Sequence, residues 1–289
     1  MIIDFANLPN ISKKLQEATE ILQTSGISEP RREAILLLAF ALQKDKTFLI
    51  AHSEYKLSTE EENRFQEFLQ RRASREPFQY ITGNQEFYGL DFQVTPDVLI
   101  PRPETELIVE NAIKLLPEKA RFCEVGIGSG CISVAILHNV KTAHAVGLDI
   151  SENALQVAEK NAKRHKVSDR LQLKISDVFE VLKNEKFDLV VSNPPYIPRR
   201  DFKILQAEVR EFEPTIALTD GKNGLSIIEK IIKDAPRFLK PYAFLLMEIG
   251  FNQAAEVKEM FSPNIWQTIE ILPDLQNIPR MVKALKSKK

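Results

Sequence analysis

Apolar residues recur at helical spacing through the first eighty positions, and the pattern then changes to short β-rich runs alternating with helical stretches. Ile11, Leu15, Ala18 and Leu22 form one apolar stripe, with Gly26 just past its end as a C-terminal cap. Ser28 is read as opening the next helix, with Pro30 in its first turn and Ala34 to Leu42 as its body. Thr47 to His52 fits a short third helix. Ser58 followed by Glu61 is a capping box, and it starts a helix whose apolar face is Phe65, Phe68 and Leu69. Residues 1–83 therefore predict a small helical bundle, and no catalytic constellation stands out within it.

Beyond Gly83, Glu86 to Val94 carries aromatic and β-branched residues around Gly89, which predicts a hairpin. Pro96, Pro101 and Pro103 stiffen the stretch after it, so residues 84–103 read as a β-hairpin linker. From residue 104 to 289, strands are expected near 121–125, 145–149, 171–175, 187–192, 243–249, 267–272 and 281–285, with helical patterns between most of them. Such alternation predicts an α/β domain with a doubly wound, seven-stranded, mainly parallel sheet.

Composition narrows the function classes. The chain has 289 residues, 44% apolar and 27% charged, as in a soluble protein of one large or two ordinary domains. A net charge of -1 lacks the basic surplus that gripping nucleic-acid phosphates requires, so no direct nucleic-acid partner is expected. The dense basic spots are Arg71, Arg72 and Arg75, read as a solvated helix face, and the pair Arg199 and Arg200. No apolar run reaches membrane-spanning length and no cationic leader opens the chain, so a cytoplasmic, reducing setting without a membrane partner is expected. Cys123 falls on a strand and Cys131 at a helix start, which suggests buried small side chains. The four histidines lie in separate segments without metal-ligand spacing, and no metal is expected.

Chemistry concentrates in the second region. Phe122 to Gly130 is a strand running into alternate glycines, Gly126, Gly128 and Gly130, interleaved with Ile127 and Ser129 and leading into an apolar helical run. Glycines there allow a tight turn and close approach of backbone to a ligand. The next strand ends in Asp149, at the spacing where an acid accepts hydrogen bonds from ribose hydroxyls; a plain surface acid is the alternative. The glycines run G-x-G-x-G, whereas a dinucleotide's pyrophosphate needs G-x-G-x-x-G. That favours S-adenosyl-L-methionine, which has no pyrophosphate, over a nicotinamide cofactor. Ser176-Asp177 after the third strand offers an acceptor for the adenine amino group or, equally, a cap for a helix behind it.

Phe187 to Ser192 is a buried strand ending in Asn193-Pro194-Pro195-Tyr196. Ligands of doubly wound sheets lie beyond the carboxyl ends of strands. Asn193 offers a side-chain carbonyl and Pro194 a backbone carbonyl, while neither proline has an N–H. A lip rich in acceptors and poor in donors suits a planar –NH2 group, whose two hydrogens it would hold. Tyr196 either packs on the face of the target or walls the pocket. An Asn-Pro turn without chemistry is the plain alternative.

These segments resemble the HemK/PrmC family of release factor glutamine methyltransferases. The resemblance covers nearly the whole chain: Ile100-Pro-Arg-Pro-Glu-Thr-Glu106, Gly126 to Gly130, Asp149, Asn193 to Tyr196, Glu208 to Pro214, Gly221 to Leu225 and Leu246 to Gly250. It implies a Rossmann-like class I S-adenosylmethionine methyltransferase that methylates N5 of the glutamine in the Gly-Gly-Gln motif of class 1 peptide chain release factors, modulating translation termination. The product of the donor would be S-adenosyl-L-homocysteine. The family pattern implies donor binding by Gly126, Ile127, Gly128, Ser129, Gly130, Asp149, Asp177, Val178 and Asn193. Asn193, Pro194, Pro195 and Tyr196 would hold the glutamine amide, with Asn193, Pro194 and Tyr196 as catalytic residues. The N-terminal bundle would contact the release factor, and the enzyme would act as a monomer. Arg102 and Glu104 are expected to tie down the Pro101–Glu106 connector. Glu124 stands where the family usually has Asp, Ile127 where it usually has Thr, and Val178 where relatives can carry an aromatic residue. The rival readings are an N6-adenine methyltransferase, which shares the tetrapeptide, and a donor-binding protein without turnover.

Overall fold

The N-terminal stripes fold as five helices, α1 (Ile11–Thr24), α2 (Pro30–Leu42), α3 (Lys46–Ala51), α4 (Thr59–Ala73) and α5 (Phe78–Thr82). The structure is a computed structural model that describes residues 10–288, so the first nine residues and Lys289 of the predicted domains lie outside the described residues. The α1 stripe is buried against Leu37, Leu38 and Phe65. Gly26, at φ 76°, turns the chain out of α1. One helix start differs from expectation. Glu29 rather than Ser28 is the N-cap of α2, and it makes no side-chain capping bond. Pro30 sets the first helical φ itself, which leaves Ser28 too far back to reach the first free N–H groups.

Ser58 Oγ accepts from Glu61 N at 3.2 Å, and Glu61 Oε2 accepts from Ser58 N at 2.8 Å. Ser58→Ala is expected to lower stability by about 1 kcal/mol, read from the urea midpoint, and Ser58→Thr to retain most of it.

Arg71, Arg72 and Arg75 do not form a solvated face. Arg72 is 5% exposed; it bonds Glu33 and donates to Glu208 at 3.0 Å, while Arg75 donates to the other Glu208 oxygen at 2.6 Å. Glu208 lies on a short helix, Ala207–Phe212, that clusters with the chain up to Gly83 as one compact unit. Burial pushes the Glu208 carboxyl up, but its backbone bonding and the two guanidinium groups outweigh this and hold it below the ordinary range.

The second unit comprises Asn84–Gln206 and the chain from Glu213 onward. It opens with a hairpin of β1 (Asn84–Phe87) and β2 (Leu90–Gln93). Tyr88 and Gly89 both have positive φ, as the two-residue turn of a right-twisted hairpin requires. Phe87 and Phe92 are buried among Ile108, Ala135 and Leu137, so the hairpin is part of this unit's core. Then come α6 (Glu106–Leu115), β3 (Arg121–Val125), α7 (Cys131–Asn139), β4 (His144–Asp149), α8 (Glu152–Arg164), β5 (Leu171–Ile175) and β6 (Phe187–Ser192). The helix that carries Glu208 is α9 (Ala207–Phe212), and after it the chain forms α10 (Thr215–Leu218), α11 (Ser226–Asp234), β7 (Leu239–Glu248), α12 (Ala254–Glu259), β8 (Trp266–Pro273) and β9 (Pro279–Lys286).

The seven strands β3 to β9 form one sheet, in the order β5-β4-β3-β6-β7-β9-β8. It is parallel from β5 to β7, and β9 runs antiparallel to both β7 and β8. Alternate strand residues face opposite cores. Phe122, Ala145 and Leu189 pack with α6, α7 and α8, whereas Cys123, Val146 and Val190 pack with α11 and α12. After β5 the chain crosses to the other side of β3, which makes the carboxyl ends of β3, β4 and β6 the crevice of a doubly wound sheet.

Candidate active site

The crevice holds a cavity of about 360 Å³, lined among others by Gly126, Gly128, Asp149, Asp177, Val178 and Asn193. The glycine loop leaves β3 and is hung on β4: Gly126 N and Ile127 N both donate to Leu148 O, at 2.8 and 3.0 Å. Gly126 and Gly128 have φ of 71° and 53°, which L side chains rarely adopt. At Gly130 a Cβ would stand 3.2 Å from Ala158 Cβ, so this glycine lets the start of α7 pack closely on α8. The Ile127 side chain is buried, lying where a Cβ on Gly147 would meet it at 2.3 Å. Any part for Ile127 in holding a ligand thus falls to its backbone. Ser129 is also buried, and its carbonyl accepts from Asn161 Nδ2 at 2.8 Å.

Asp149 ends β4 inside the cavity wall. Its Oδ2 accepts from Gly128 N and its Oδ1 from Ser151 N, both at 2.9 Å. The carboxylate thus braces the glycine loop, and a carboxylate oxygen bonded once keeps a further acceptor site. Burial pushes its pKa up. Ser176 Oγ accepts from Val181 N within a turn, and no helix comes directly after it, so the helix-cap alternative does not hold. Asp177 pairs with Lys230 at 2.9 Å. Val178 is buried with φ 53°, an outlier for a β-branched residue of the kind that clusters at ligand sites.

Glu124, one residue before the end of β3, is 1% exposed and also lines the cavity. Its longer side chain reaches the first turn of α7, where Oε2 accepts from Ser133 N at 2.9 Å and from Ser133 Oγ. Burial pushes its pKa up to about 8, against the two Ser133 bonds and with help from the Asp149 charge. A carboxyl whose folded pKa is raised contributes stability below its unfolded value, and that stability is lost as pH rises from about 4.5 to about 8. Glu124→Gln removes this loss. Its melting temperature is expected to exceed that of the parent by roughly 5 °C at pH 8, with the difference shrinking toward pH 5. A constant difference across that window would contradict the neutral-carboxyl assignment.

The tetrapeptide begins directly after β6. Asn193 Nδ2 donates to Thr105 Oγ1 at 3.1 Å, and Thr105 Oγ1 donates to Glu248 Oε2 at 2.7 Å. Tyr196 donates its hydroxyl to Glu248 Oε1 at 3.0 Å. Asn193 and Pro195 line the cavity, whereas Pro194 is buried and neither it nor Tyr196 is in the lining. The Tyr196 backbone is held just as closely. Its carbonyl accepts from Gln253 Nε2 at 3.0 Å, and a Cβ on Gly224 would stand 2.2 Å from that oxygen. The connector before α6 is tied by Arg102, which bonds Glu213, while Glu213 also accepts from Ile100 N at 3.1 Å. Glu104 is half-buried in the 3-10 turn Pro103–Thr105.

Sequence reasoning did not single out Thr105, Glu248, Gln253, Asn161 or Glu213. Thr105 and Glu248 stand inside family motifs, and those motifs were the available signal. Asn161 is a polar residue on an otherwise apolar stripe of α8; it exchanges hydrogen bonds with Gln93 and so fastens the hairpin. The cavity lining carries Asp97, Asp149, Asp177 and Asp220 beside the largely neutral Glu124; Asp177 is paired with Lys230, and Arg102 in the same lining is already paired with Glu213. That balance favours a cationic ligand. Among the described residues no three His, Cys, Asp or Glu side chains converge on a metal site, and no helix is long and apolar enough to cross a membrane.

Comparison with known proteins places this geometry. The family pattern described as "PrmC N-terminal domain" matches residues 13–83, and "Methyltransferase small domain" matches residues 103–211. A release factor glutamine methyltransferase of Geobacter sulfurreducens is 44% identical over 252 residues, covering 87% of this chain and 88% of the relative. One from Koribacter versatilis is 38% identical, covering 96% of this chain and 98% of the relative. A crystal structure of a methyltransferase from Pyrococcus furiosus shares the fold with a TM-score of 0.54 at 16% identity, covering 75% of this chain and 98% of that one.

Proposed function

The chain belongs to the release factor glutamine methyltransferase family, and from this we propose that it methylates N5 of the glutamine in the Gly-Gly-Gln motif of class 1 peptide chain release factors, with S-adenosyl-L-methionine as donor. The observation that carries the reading is the convergence of the glycine loop, Asp149 and Asn193 on one acid-lined cavity. The donor fits that cavity chemically. It carries a sulfonium, an ammonium and a ribose diol, and the lining offers carboxylates and glycine backbone. Gly126 and Gly128 would cradle it, with Gly130 setting the turn into α7 behind them, Asp149 would accept from the ribose, and Asp177 and Val178 would hold the adenine.

When bound, the donor supplies an electrophilic methyl carbon on sulfur. The chain's own task is alignment, which contributes up to roughly 7–11 kcal/mol in well-oriented systems. Asn193 Oδ1 and the Pro194 carbonyl accept the two hydrogens of the glutamine –NH2 and aim its nitrogen. Tyr196, with its hydroxyl committed to Glu248 and its ring packed toward Gly250, keeps the loop in place. No group acts as a strong base before attack, because the nitrogen loses its proton readily after it is methylated. The N-terminal helical unit contacts the release factor, and the enzyme works as a monomer without a metal.

Incubation with a donor carrying a labelled methyl group, with a purified class 1 release factor and separately with adenine-containing DNA, tests this. Label is expected on the glutamine of the Gly-Gly-Gln peptide. Label on DNA alone would replace the reading with the adenine methyltransferase.

A further inference from the structure

We propose that Thr105 and Glu248 form a positioning relay that fixes which end of the Asn193 amide faces the substrate. The relay rests on the proposed methyl transfer and adds two residues to it: Thr105, which lines the cavity with Asn193, and Glu248, which stands behind the lining.

An asparagine amide has a donor end and an acceptor end of nearly equal size, so only its partners decide which way it points. In this site the decision begins at Glu248, the last residue of β7, 2% exposed. An ionised carboxylate only accepts. Thr105 Oγ1, itself buried, has one proton, and at 2.7 Å that proton goes to Glu248 Oε2. What remains on Thr105 Oγ1 is a lone pair, and it accepts from Asn193 Nδ2 at 3.1 Å. With Nδ2 so committed, Oδ1 is the end of the amide left for a substrate –NH2. The reverse orientation would set the Asn193 carbonyl against the Thr105 lone pairs and offer a donor to the substrate's own donors.

The same carboxylate holds the other end of the tetrapeptide. Its Oε1 accepts from the Tyr196 hydroxyl at 3.0 Å, so one buried acid ties position 193 through Thr105 and position 196 directly. Burial outweighs the Thr105 and Tyr196 bonds and holds the Glu248 carboxyl above its ordinary range. Other groups act on it: Arg280 also favours its charged form and Glu104 opposes it. The direction of the relay rests on geometry: each Glu248 oxygen faces one hydroxyl donor, Thr105 at 2.7 Å and Tyr196 at 3.0 Å.

Thr105→Val keeps the shape and deletes the hydroxyl, while Thr105→Ser restores it. For Thr105→Val we expect kcat for methyl transfer to fall by about tenfold or more, the size of one lost hydrogen bond in the aligned state. The affinity for S-adenosyl-L-homocysteine should stay within about twofold of the parent, and Thr105→Ser should recover most of kcat. Unchanged kcat in the valine variant, or a loss of kcat matched by equal loss of donor affinity, would overturn the relay. The unmodified protein gives a second reading that needs no turnover. With 15N-asparagine labelling, the Asn193 side-chain NH2 is expected to exchange with solvent more slowly than exposed asparagine side chains. Exchange as fast as theirs would overturn the relay even if methyl transfer is confirmed. Slow exchange without label on any release factor would instead leave the relay standing and defeat the substrate assignment.

Discussion

Asn193→Ala is expected to lower turnover at saturating donor and release factor by about a hundredfold or more, with donor affinity changed far less. A single preorganised group aimed at the reacting centre contributes on the order of a hundred- to a thousandfold in rate. Alanine removes the acceptor end of the amide, so the target nitrogen keeps at most one of its two anchoring bonds and is free to rotate about it. It also strands Thr105 Oγ1, which loses its donor from Nδ2. The donor pocket loses little, because the glycine loop is hung on Leu148 and braced by Asp149 independently of residue 193. Single-turnover kinetics beside calorimetric titration with S-adenosyl-L-homocysteine separates the two effects. Turnover within about threefold of the parent would remove Asn193 from the chemistry.

Asp149→Ala is expected to do the opposite: donor affinity falls by about a hundredfold or more, while the methylation rate at saturating donor changes less. Hydrogen bonds to a charged acceptor contribute roughly 1.5–3 kcal/mol each, and tenfold in affinity corresponds to about 1.4 kcal/mol. A ribose diol bonded to one carboxylate therefore accounts for a hundredfold without further help. The substitution also frees Gly128 N and Ser151 N, so the loop loses its brace as the ligand loses its acceptor. Asp149→Asn, which keeps one acceptor oxygen, should fall between. Calorimetry on the purified variants reads this directly, and an affinity for S-adenosyl-L-homocysteine within about threefold of the parent would refute the ribose role.

The sequence already showed the strands and the three chemical segments at their ends, because both signals are local. A buried parallel strand is a short apolar run, and a glycine triplet or Asn-Pro-Pro-Tyr is contiguous. The groups that support those segments were not legible. Thr105 and Glu248 are 143 positions apart and meet only because β7 lies beside β6, with the entry to α6 close by. Arg72 occupies a helix position that periodicity leaves polar, and nothing local announces that Glu33 and Glu208 will cover it. The same holds for Glu124: its type suggests a charge, and burial beneath the loop makes it a largely neutral group. Ser28 shows the reverse error, since a local rule for caps gave way to the stronger constraint of Pro30.

The most direct test of the central claim is a crystal structure with S-adenosyl-L-homocysteine and a Gly-Gly-Gln peptide bound together. The glutamine nitrogen should lie within hydrogen-bond reach of both Asn193 Oδ1 and the Pro194 carbonyl, with its line of approach directed at the sulfur. A glutamine whose amide nitrogen is held elsewhere, with Asn193 Nδ2 turned away from Thr105, would contradict it.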